Sequence, residues 1–176
     1  KKISIFGWMR VFSRGSAIIF IILFGLILKF VLRLFEKPLF GDRRPVTPYI
    51  TVLVSKISLW LLSIPVTRFG APLLQPGAFV ANHTSWLDIF ALNSGQSLYF
   101  VSKSEVSKWP VIGLLAKATG TLFIRRESKE AVAQKKLFGQ RIKMGHRLLF
   151  FPEGTSTDGM RVLPFKSALF QAFFDS

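Results

Sequence analysis

Long apolar segments in the first part of the chain give way to short apolar runs in the rest. Residues 17–28 read AIIFIILFGLIL, twelve apolar residues in a row, and the pattern resumes after Lys29. A helix over residues 17–32 would be about 24 Å long at ~1.5 Å per residue, slightly short of a hydrocarbon core of roughly 30 Å. Lys29 and Arg33 can reach the interface with their long side chains and make up the difference.

A second apolar segment covers residues 50–66, is interrupted by Lys56 and is closed by Pro65. The intervening residues 36–48 read EKPLFGDRRPVTP and are rich in turn formers. The pattern predicts a membrane-anchoring hairpin of two helices over residues 1–68, which either dips into a membrane or crosses it. A cleaved secretory signal is the competing interpretation, and it is disfavoured because no small-x-small cleavage pattern follows the first segment.

From residue 69 onward, short apolar runs alternate with helical patterns. The runs are typical of buried strands, and the segments between them are typical of helices. This β-α alternation predicts an α/β domain over residues 69–176, with a mixed, mostly parallel sheet flanked by helices. The predicted strands are residues 78–82, 97–102, 120–125 and 147–152, and the predicted helices lie near residues 84–94, 105–118 and 127–145.

The charge of the chain supports a membrane location. The formal net charge is +15, although half of the residues are hydrophobic. Residues 1–80 hold eleven Lys and Arg against only Glu36 and Asp42, so basic charge flanks the apolar segments, as in membrane-interface anchoring. Nucleic acid is not an expected partner, because such binders show a basic stripe with exposed aromatics and no lipid-seeking segment. The positive-inside bias predicts that the α/β domain faces the cytoplasm.

Two further observations concern the chain as a whole. It has no cysteine, which excludes a disulfide framework, a thiolate metal site and a cysteine nucleophile. Residue 1 is lysine, and residues 168–176 stop inside an apolar helical pattern. We therefore expect the chain to be most of a longer protein.

The first candidate for chemistry is the segment FVANHTSWLDIF, residues 79–90. His83 follows a predicted strand, and Asp88 falls in the first turns of the next helix, with Asn82, Thr84 or Ser85 as candidate caps. Folded back toward Asp88, the ring of His83 would have a fixed tautomer, leaving its other nitrogen free to act as a base. Taken alone, so short a pattern more often marks a capping histidine bonded to an acid.

Two other predicted strands also end in polar residues. FPEGTSTDG places Glu153 directly after a strand, in a glycine-containing turn, where open α/β sheets carry their sites. GTLFIRR ends in Arg125 and Arg126, a pair suited to a phosphate or a carboxylate. The only other histidine, His146, lies in a basic segment without a paired acid, so we assign it no role.

These three segments together resemble the glycerolipid acyltransferase family typified by bacterial 1-acylglycerol-3-phosphate acyltransferase. NHTSWLD is similar to the family motif N-H-x4-D, GTLFIRR to G-x-x-F-I-x-R, and FPEGTST to F-P-E-G-T-[RS]. The resemblance covers about residues 75–170. Each motif is weak alone, but three in the family's order form a strong signal.

The resemblance implies direct acyl transfer from acyl-CoA or acyl-carrier protein to the hydroxyl of a lysolipid, at the bacterial inner membrane. It implies that His83 removes the hydroxyl proton and that Asp88 orients His83. The acceptor would be bound by Arg126 and Glu153, with Arg125, Gly154 and Thr155 beside them. No cofactor is implied, and a metal is not expected because one histidine with scattered carboxylates lacks ligand spacing.

Position 156 departs from the family pattern, which keeps the acceptor open. Phosphate-handling members usually have arginine there, and this chain has Ser156. The expected acceptor is of the 1-acylglycerol-3-phosphate type, with lyso-ornithine lipid, whose head group is an amino acid, as the alternative. An alternative of another class is a non-catalytic membrane adaptor whose basic helix recruits an acidic partner.

Overall fold

The N-terminal part of the chain is a hairpin of two helices. The computed structural model describes residues 3–72, 74–125, 130–166 and Phe170. Helix α1 runs over Ile5–Phe40 and begins where the Ser4 hydroxyl accepts the Gly7 N–H at 3.1 Å. It ends at Gly41, where φ is 58°, a conformation that glycine adopts without strain. Helix α2 follows over Thr47–Leu61.

Both helices differ from their predicted extents. α1 starts well before residue 17 and continues into the predicted linker as far as Phe40. Pro38 does not stop it, because this proline lies in the last turn, where its missing N–H removes a single hydrogen bond. Its 36 residues give a length of about 54 Å at ~1.5 Å per residue. α2 ends at Leu61 rather than at residue 66, since the backbone turns at Ser63, where φ is 57°.

The two helices pack closely and are joined by a buried acid. A Cβ on Gly25 of α1 would lie 2.5 Å from Cγ2 of Val54 in α2, so glycine permits the close approach. The carboxylate of Glu36 accepts the N–H groups of Val46 and Thr47 at 2.7 and 3.0 Å, and the Thr47 hydroxyl at 2.5 Å. An acid at this position satisfies the free N–H groups at the start of α2.

Among the described residues, α1 is the one helix that is long and apolar enough to cross a membrane, judged by length and composition. Only 17% of its most apolar 18-residue window is buried against the rest of the protein. Much of its apolar surface therefore lacks a protein partner, as expected for a helix in contact with lipid. This supports the predicted membrane anchor.

The rest of the chain forms an α/β fold, as predicted. Four strands, β1 (Gly77–Val80), β2 (Tyr99–Lys103), β3 (Leu122–Ile124) and β4 (Arg147–Phe150), form one sheet in the order β1-β4-β2-β3. Every pairing between these strands is parallel, so the antiparallel component allowed by the prediction is not seen in them. The register pairs Gly77 with Arg147 and Val80 with Phe150. The last strand in sequence therefore lies between β1 and β2.

The helices of this part are shorter than predicted, for local reasons. Helix α3 covers only Leu87–Asn93, because the N–H groups of Thr84 and Ser85 bond to the Asp88 side chain. Its N-cap is Trp86, which was not among the predicted caps. The predicted helix 105–118 is divided into a 3-10 helix, Ser104–Lys108, and α4, Ile112–Thr119, by Pro110. Helix α5 covers Ala131–Lys143, and the first predicted residues, 127–129, lie outside the described residues.

The core lies on both faces of the sheet. One cluster joins Leu148, Phe150 and Tyr99 to Phe138 of α5, and Leu148 and Phe138 are almost fully buried. A second, on the other face, joins Leu149 and Phe100 to the residues around the ends of β1 and β4. α2 packs against both α1 and α3, so the hairpin adjoins the helix that carries Asp88.

Candidate active site

His83 and Asp88 form a direct pair beyond the carboxyl end of β1. Nδ1 of His83 lies 2.8 Å from Oδ2 of Asp88. An ionised carboxylate only accepts hydrogen bonds, so the Nδ1–H donates, and Nε2 carries the free lone pair of the neutral ring. Both side chains are about one-fifth exposed, so substrate can reach the pair from solvent. The structure therefore has the geometry that the sequence predicted for a base and its orienting acid.

The carboxylate of Asp88 is held by the loop that precedes α3. Oδ2 accepts the N–H groups of Thr84 and Ser85 at 2.7 and 3.0 Å, and Oδ1 accepts the Thr84 hydroxyl at 3.2 Å. Burial alone raises the pKa of Asp88, but these backbone bonds and the bond to His83 outweigh it, so the pKa lies below its usual value. Asp88 is therefore ionised at neutral pH and stabilises a protonated His83.

The backbone of His83 is fixed by the loop that follows β4. Its N–H donates to Oε1 of Glu153 at 3.3 Å, and its carbonyl accepts the N–H of Thr157 at 2.8 Å. The imidazole also stacks on the ring of Phe151, with centroids 4.0 Å apart and planes at 14°. These contacts fix the backbone of His83 and one face of its ring, in addition to the bond from Nδ1 to Asp88.

Glu153 bridges two segments of backbone. Its second oxygen, Oε2, accepts the N–H of Leu163 at 2.9 Å, so each carboxylate oxygen has a main-chain partner. The residue is only 2% exposed. The tight turn begins at Gly154, where φ is 73°. The same segment lies beside the loop that follows β1, so that a Cβ on Gly159 would be 3.5 Å from Thr84, in van der Waals contact. Glu153 thus holds the loops after β1 and β4 together.

The other predicted acceptor-binding residues lie at varying distances from the pair. Arg126 is outside the described residues. Arg125 follows β3, is largely exposed and pairs with Glu130 at 3.2 Å. Since β2 separates β3 from β4, its strand ends about 10 Å from β4 at ~4.8 Å per strand. Thr155 is exposed in the same turn as Gly154. Acceptor binding by these residues stays a prediction.

Three contacts were not predicted from the sequence. Phe151 stands in the quoted motif but was given no role, and neither Thr157 nor Leu163 was considered. The phenylalanine directly before Pro152 and Glu153 was the available signal, because a residue just past a strand's carboxyl end can turn toward the site there. The contacts of the Thr157 and Leu163 N–H groups could not be predicted from residue type, since every residue except proline has a backbone N–H.

The arrangement is suited to removing a proton from a substrate. Nε2 of His83 forms no hydrogen bond within the described part of the chain, so its lone pair is available. In the parts of the chain with described coordinates, no group of three or more His, Cys, Asp or Glu is placed to hold a metal ion. The chemistry that these residues support is general base catalysis, in which Asp88 offsets the charge that His83 gains.

Comparisons with known proteins agree on one family. A family model described as Acyltransferase matches residues 69–176. The chain is 55% identical to the lyso-ornithine lipid O-acyltransferase of Rhodobacter capsulatus over 165 residues, which are 94% of this chain and 60% of that protein. It is 39% identical to the 1-acyl-sn-glycerol-3-phosphate acyltransferase of Neisseria gonorrhoeae, over 60% of this chain and 42% of that protein.

A third relative is the lyso-ornithine lipid O-acyltransferase of Pseudomonas aeruginosa, 38% identical over 68% of this chain and 49% of that protein. The chain therefore spans about 60% or less of the length of these three relatives. No solved structure matches it. The family model covers the whole α/β part, including the His83–Asp88 pair and the Glu153 loop, and the chain belongs to the acyltransferase family.

Proposed function

We propose that the protein is a membrane-associated O-acyltransferase that moves a fatty acyl group from acyl-CoA or acyl-carrier protein to the free hydroxyl of a lysolipid. The observation that carries the proposal is the 2.8 Å contact between His83 and Asp88, with Nε2 left free. A non-catalytic adaptor has no need for a histidine whose tautomer, ring plane and backbone are all fixed. The geometry therefore favours the enzyme over the adaptor.

In the proposed reaction, Nε2 of His83 takes the proton of the acceptor hydroxyl as its oxygen attacks the thioester carbonyl. The new ester C–O bond forms, the C–S bond breaks, and the thiolate of the donor leaves and receives the proton from His83. Asp88 stabilises the imidazolium that exists between the two proton transfers. The step needs no acyl-enzyme, which fits a chain without cysteine.

Lyso-ornithine lipid is the acceptor that we place first. Ser156 supplies no guanidinium for a phosphate, and the relative with 55% identity is named for lyso-ornithine lipid. 1-Acylglycerol-3-phosphate is the second candidate, favoured by the relative from Neisseria gonorrhoeae and by the arginines after β3. For either acceptor, we propose that Arg126, Arg125, Gly154 and Thr155 contact the head group, and that Glu153 acts there mainly through the loop it holds.

The proposal also includes the cellular location of the protein. The exposed apolar surface of α1 supports anchoring in a membrane, and the basic residues of the first 80 positions favour the cytoplasmic face of a bacterial inner membrane for the α/β part. At that position both the lipid acceptor and a water-soluble acyl donor are within reach.

The test is an acceptor panel with membranes that carry the protein. Release of CoA or carrier-protein thiol is measured with lyso-ornithine lipid and with 1-acylglycerol-3-phosphate, in the parent, in His83→Ala and in the exposed control Lys136→Ala. We expect release with at least one acceptor, loss of about 10²-fold or more in His83→Ala, and no change in the control. An undiminished rate in His83→Ala would overturn the mechanism, and the better acceptor decides between the two lipids.

A further inference from the structure

A cationic pocket lies at the amino edge of the sheet, opposite His83. It has a volume of about 180 Å³ and is lined by Arg43 and Arg44 of the α1–α2 linker and by Tyr99, His146 and Arg147 at the starts of β2 and β4. The four-residue strand β1 separates the two edges by about 13 Å at ~3.3 Å per residue. The pocket is therefore distinct from the candidate active site.

The side chains that line the pocket are basic, polar or apolar. None of the described residues that line it is Asp or Glu. Arg44 donates to the carbonyl of Ala118 at 3.4 Å, and Arg147 donates to the carbonyl of Leu74. These acceptors are uncharged, and in the described ranges neither arginine forms an ion pair with a carboxylate.

The closest acids of the linker region are already engaged elsewhere. Glu36 and Asp42 both bind Arg33, at 3.4 and 3.0 Å, and Glu36 also accepts the N–H groups at the start of α2. Within the described ranges, the three guanidinium groups of the pocket (Arg43, Arg44 and Arg147) thus form no ion pair with a carboxylate.

Buried polar atoms at the same place lack partners. The Nε–H donors of Arg44 and Arg147 are buried with no hydrogen bond to the described residues. Behind them, Arg141 is 7% exposed, donates to the carbonyl of Gly120 at 3.0 Å and lies 5.0 Å above the Tyr99 ring. Burial, followed by repulsion from other arginines, lowers the pKa of Arg44 and Arg141, and Tyr99 and Asp42 oppose the shift in part. Like charges held this close, and partly dehydrated, are stabilised when an anion joins them.

The geometry points to a phosphate group as the ligand of this pocket. Guanidinium groups bind phosphate oxygens with paired, charge-assisted hydrogen bonds, which main-chain carbonyls cannot replace. Two sources can supply that group: the head group of an anionic phospholipid, or free phosphate from the aqueous phase. The pocket lies at the C-terminal end of α1, whose apolar surface is exposed, so a lipid head group can reach it from a membrane surface.

The test measures binding to the purified protein in a nonionic detergent by titration calorimetry. The ligands are inorganic phosphate and a water-soluble, short-chain phosphatidylglycerol, with phosphatidylcholine of the same chain length as a zwitterionic control, all at one ionic strength. The proteins are the parent, the double variant Arg43→Gln and Arg147→Gln, and a charge-matched control with Lys108→Gln and Lys136→Gln, both exposed.

We expect the parent and the control to bind at least one of the two anions, and the double variant to bind it at least tenfold more weakly. Binding of phosphatidylglycerol alone identifies a lipid head group as the source, and binding of inorganic phosphate identifies a site open to free phosphate. Absence of binding, equal binding of phosphatidylcholine, or equal affinity in the double variant and the control overturns the inference. If the double variant does not fold, Arg43→Gln alone gives the same comparison, because Arg43 is exposed.

Discussion

Glu153 accepts the backbone N–H of His83 at 3.3 Å, although the two residues are 70 apart in sequence. The contact exists because β1 and β4 are parallel neighbours that end at the same edge of the sheet. It places a buried carboxylate against the backbone of His83, away from the free Nε2 of its ring. The acid of the third motif therefore has a structural task that can be separated from substrate binding.

Replacing Glu153 by Gln separates these two roles. Glutamine keeps one acceptor oxygen but turns an NH2 group toward the N–H of His83 or Leu163, so one buried donor loses its partner. We expect a loss of about 1–3 kcal/mol in the free energy of unfolding and a fall in kcat with little change in KM. Asp158→Asn, an exposed acid of the same loop, is the control. A raised KM with unchanged stability would instead assign Glu153 to the acceptor.

Asp88→Asn tests the orienting acid. The asparagine oxygen can still accept the N–H groups of Thr84 and Ser85, but the charge that stabilises the imidazolium is gone. We expect kcat to fall by about 10²-fold or more at neutral pH. Steady-state kinetics with the better acceptor measures this, and retained activity would contradict the proposed mechanism.

The same variant predicts a change in acid stability. The pKa of Asp88 in the folded protein lies below its usual value of 3.8, so its carboxylate adds stability above about pH 4, and that stability is lost as the pH falls through the folded pKa. Thermal unfolding of the parent should therefore depend more steeply on pH below 4 than that of Asp88→Asn. Equal slopes would show that Asp88 is not held by these bonds.

The close contact between α1 and α2 is tested with two glycines of α1. Gly25→Leu places a side chain where even a Cβ meets Val54 at 2.5 Å, whereas a Cβ on Gly15 has nothing within 4 Å. Both substitutions raise helix propensity equally, so their difference isolates the contact. We expect Gly25→Leu to be less stable than Gly15→Leu by about 1–3 kcal/mol in reversible unfolding followed by circular dichroism. Equal stability would mean that the hairpin does not pack this way.

His146 should give the stability of the protein a second pH dependence, at higher pH than that of the carboxylates. Burial lowers its pKa to about 4, the bond from Nε2 to the Arg43 carbonyl opposes this, and Arg141 and Arg44 reinforce it. The unfolded chain takes up the proton below its value of 6.5 while the folded protein does not, so stability is complete above pH 6.5 and falls toward pH 4.

His146→Phe keeps a ring against Tyr99, which the imidazole stacks on at 4.1 Å, and removes the titrating group. Between pH 6.5 and 4, in phosphate-free buffer, we expect the parent to lose on the order of 1–3 kcal/mol more than this variant. Thermal unfolding at several pH values measures the difference. Parallel curves for the two proteins would show that His146 protonates freely in the folded state.

Periodicity and motif spacing predicted the α/β class, the hairpin and the His83–Asp88 pair, because these depend on residues close together in sequence. The ends of β1 and β4 were predicted too late along the chain, because the apolar runs before His83 and Glu153 continue past the last paired residues, Val80 and Phe150. Gly120 was assigned to a strand, but it ends α4 with φ of 84°. A short apolar run does not reveal where pairing stops.

The contacts between distant segments could not be predicted in this way. Strand order decides that Glu153 meets His83, and no local pattern encodes the order β1-β4-β2-β3. The contact between the Arg43 carbonyl and His146 depends on how the hairpin linker packs, which no local pattern encodes either. His146 was assigned no role because it has no acid nearby in sequence. Its neighbours are instead arginines contributed by the linker of the hairpin.

The position of β4 in the sequence also determines when β1 can pair during translation. Among the described strands, β1 pairs with β4 alone, and β4 comes last in sequence. At roughly 5–20 residues per second, a ribosome takes on the order of 4–14 s to translate the 70 residues from His83 to Glu153. During that interval β1 has no partner strand, and His83 lacks its contacts with the loop that follows β4. The β1–β4 pairing can therefore form only after β4 has been translated, well after α1.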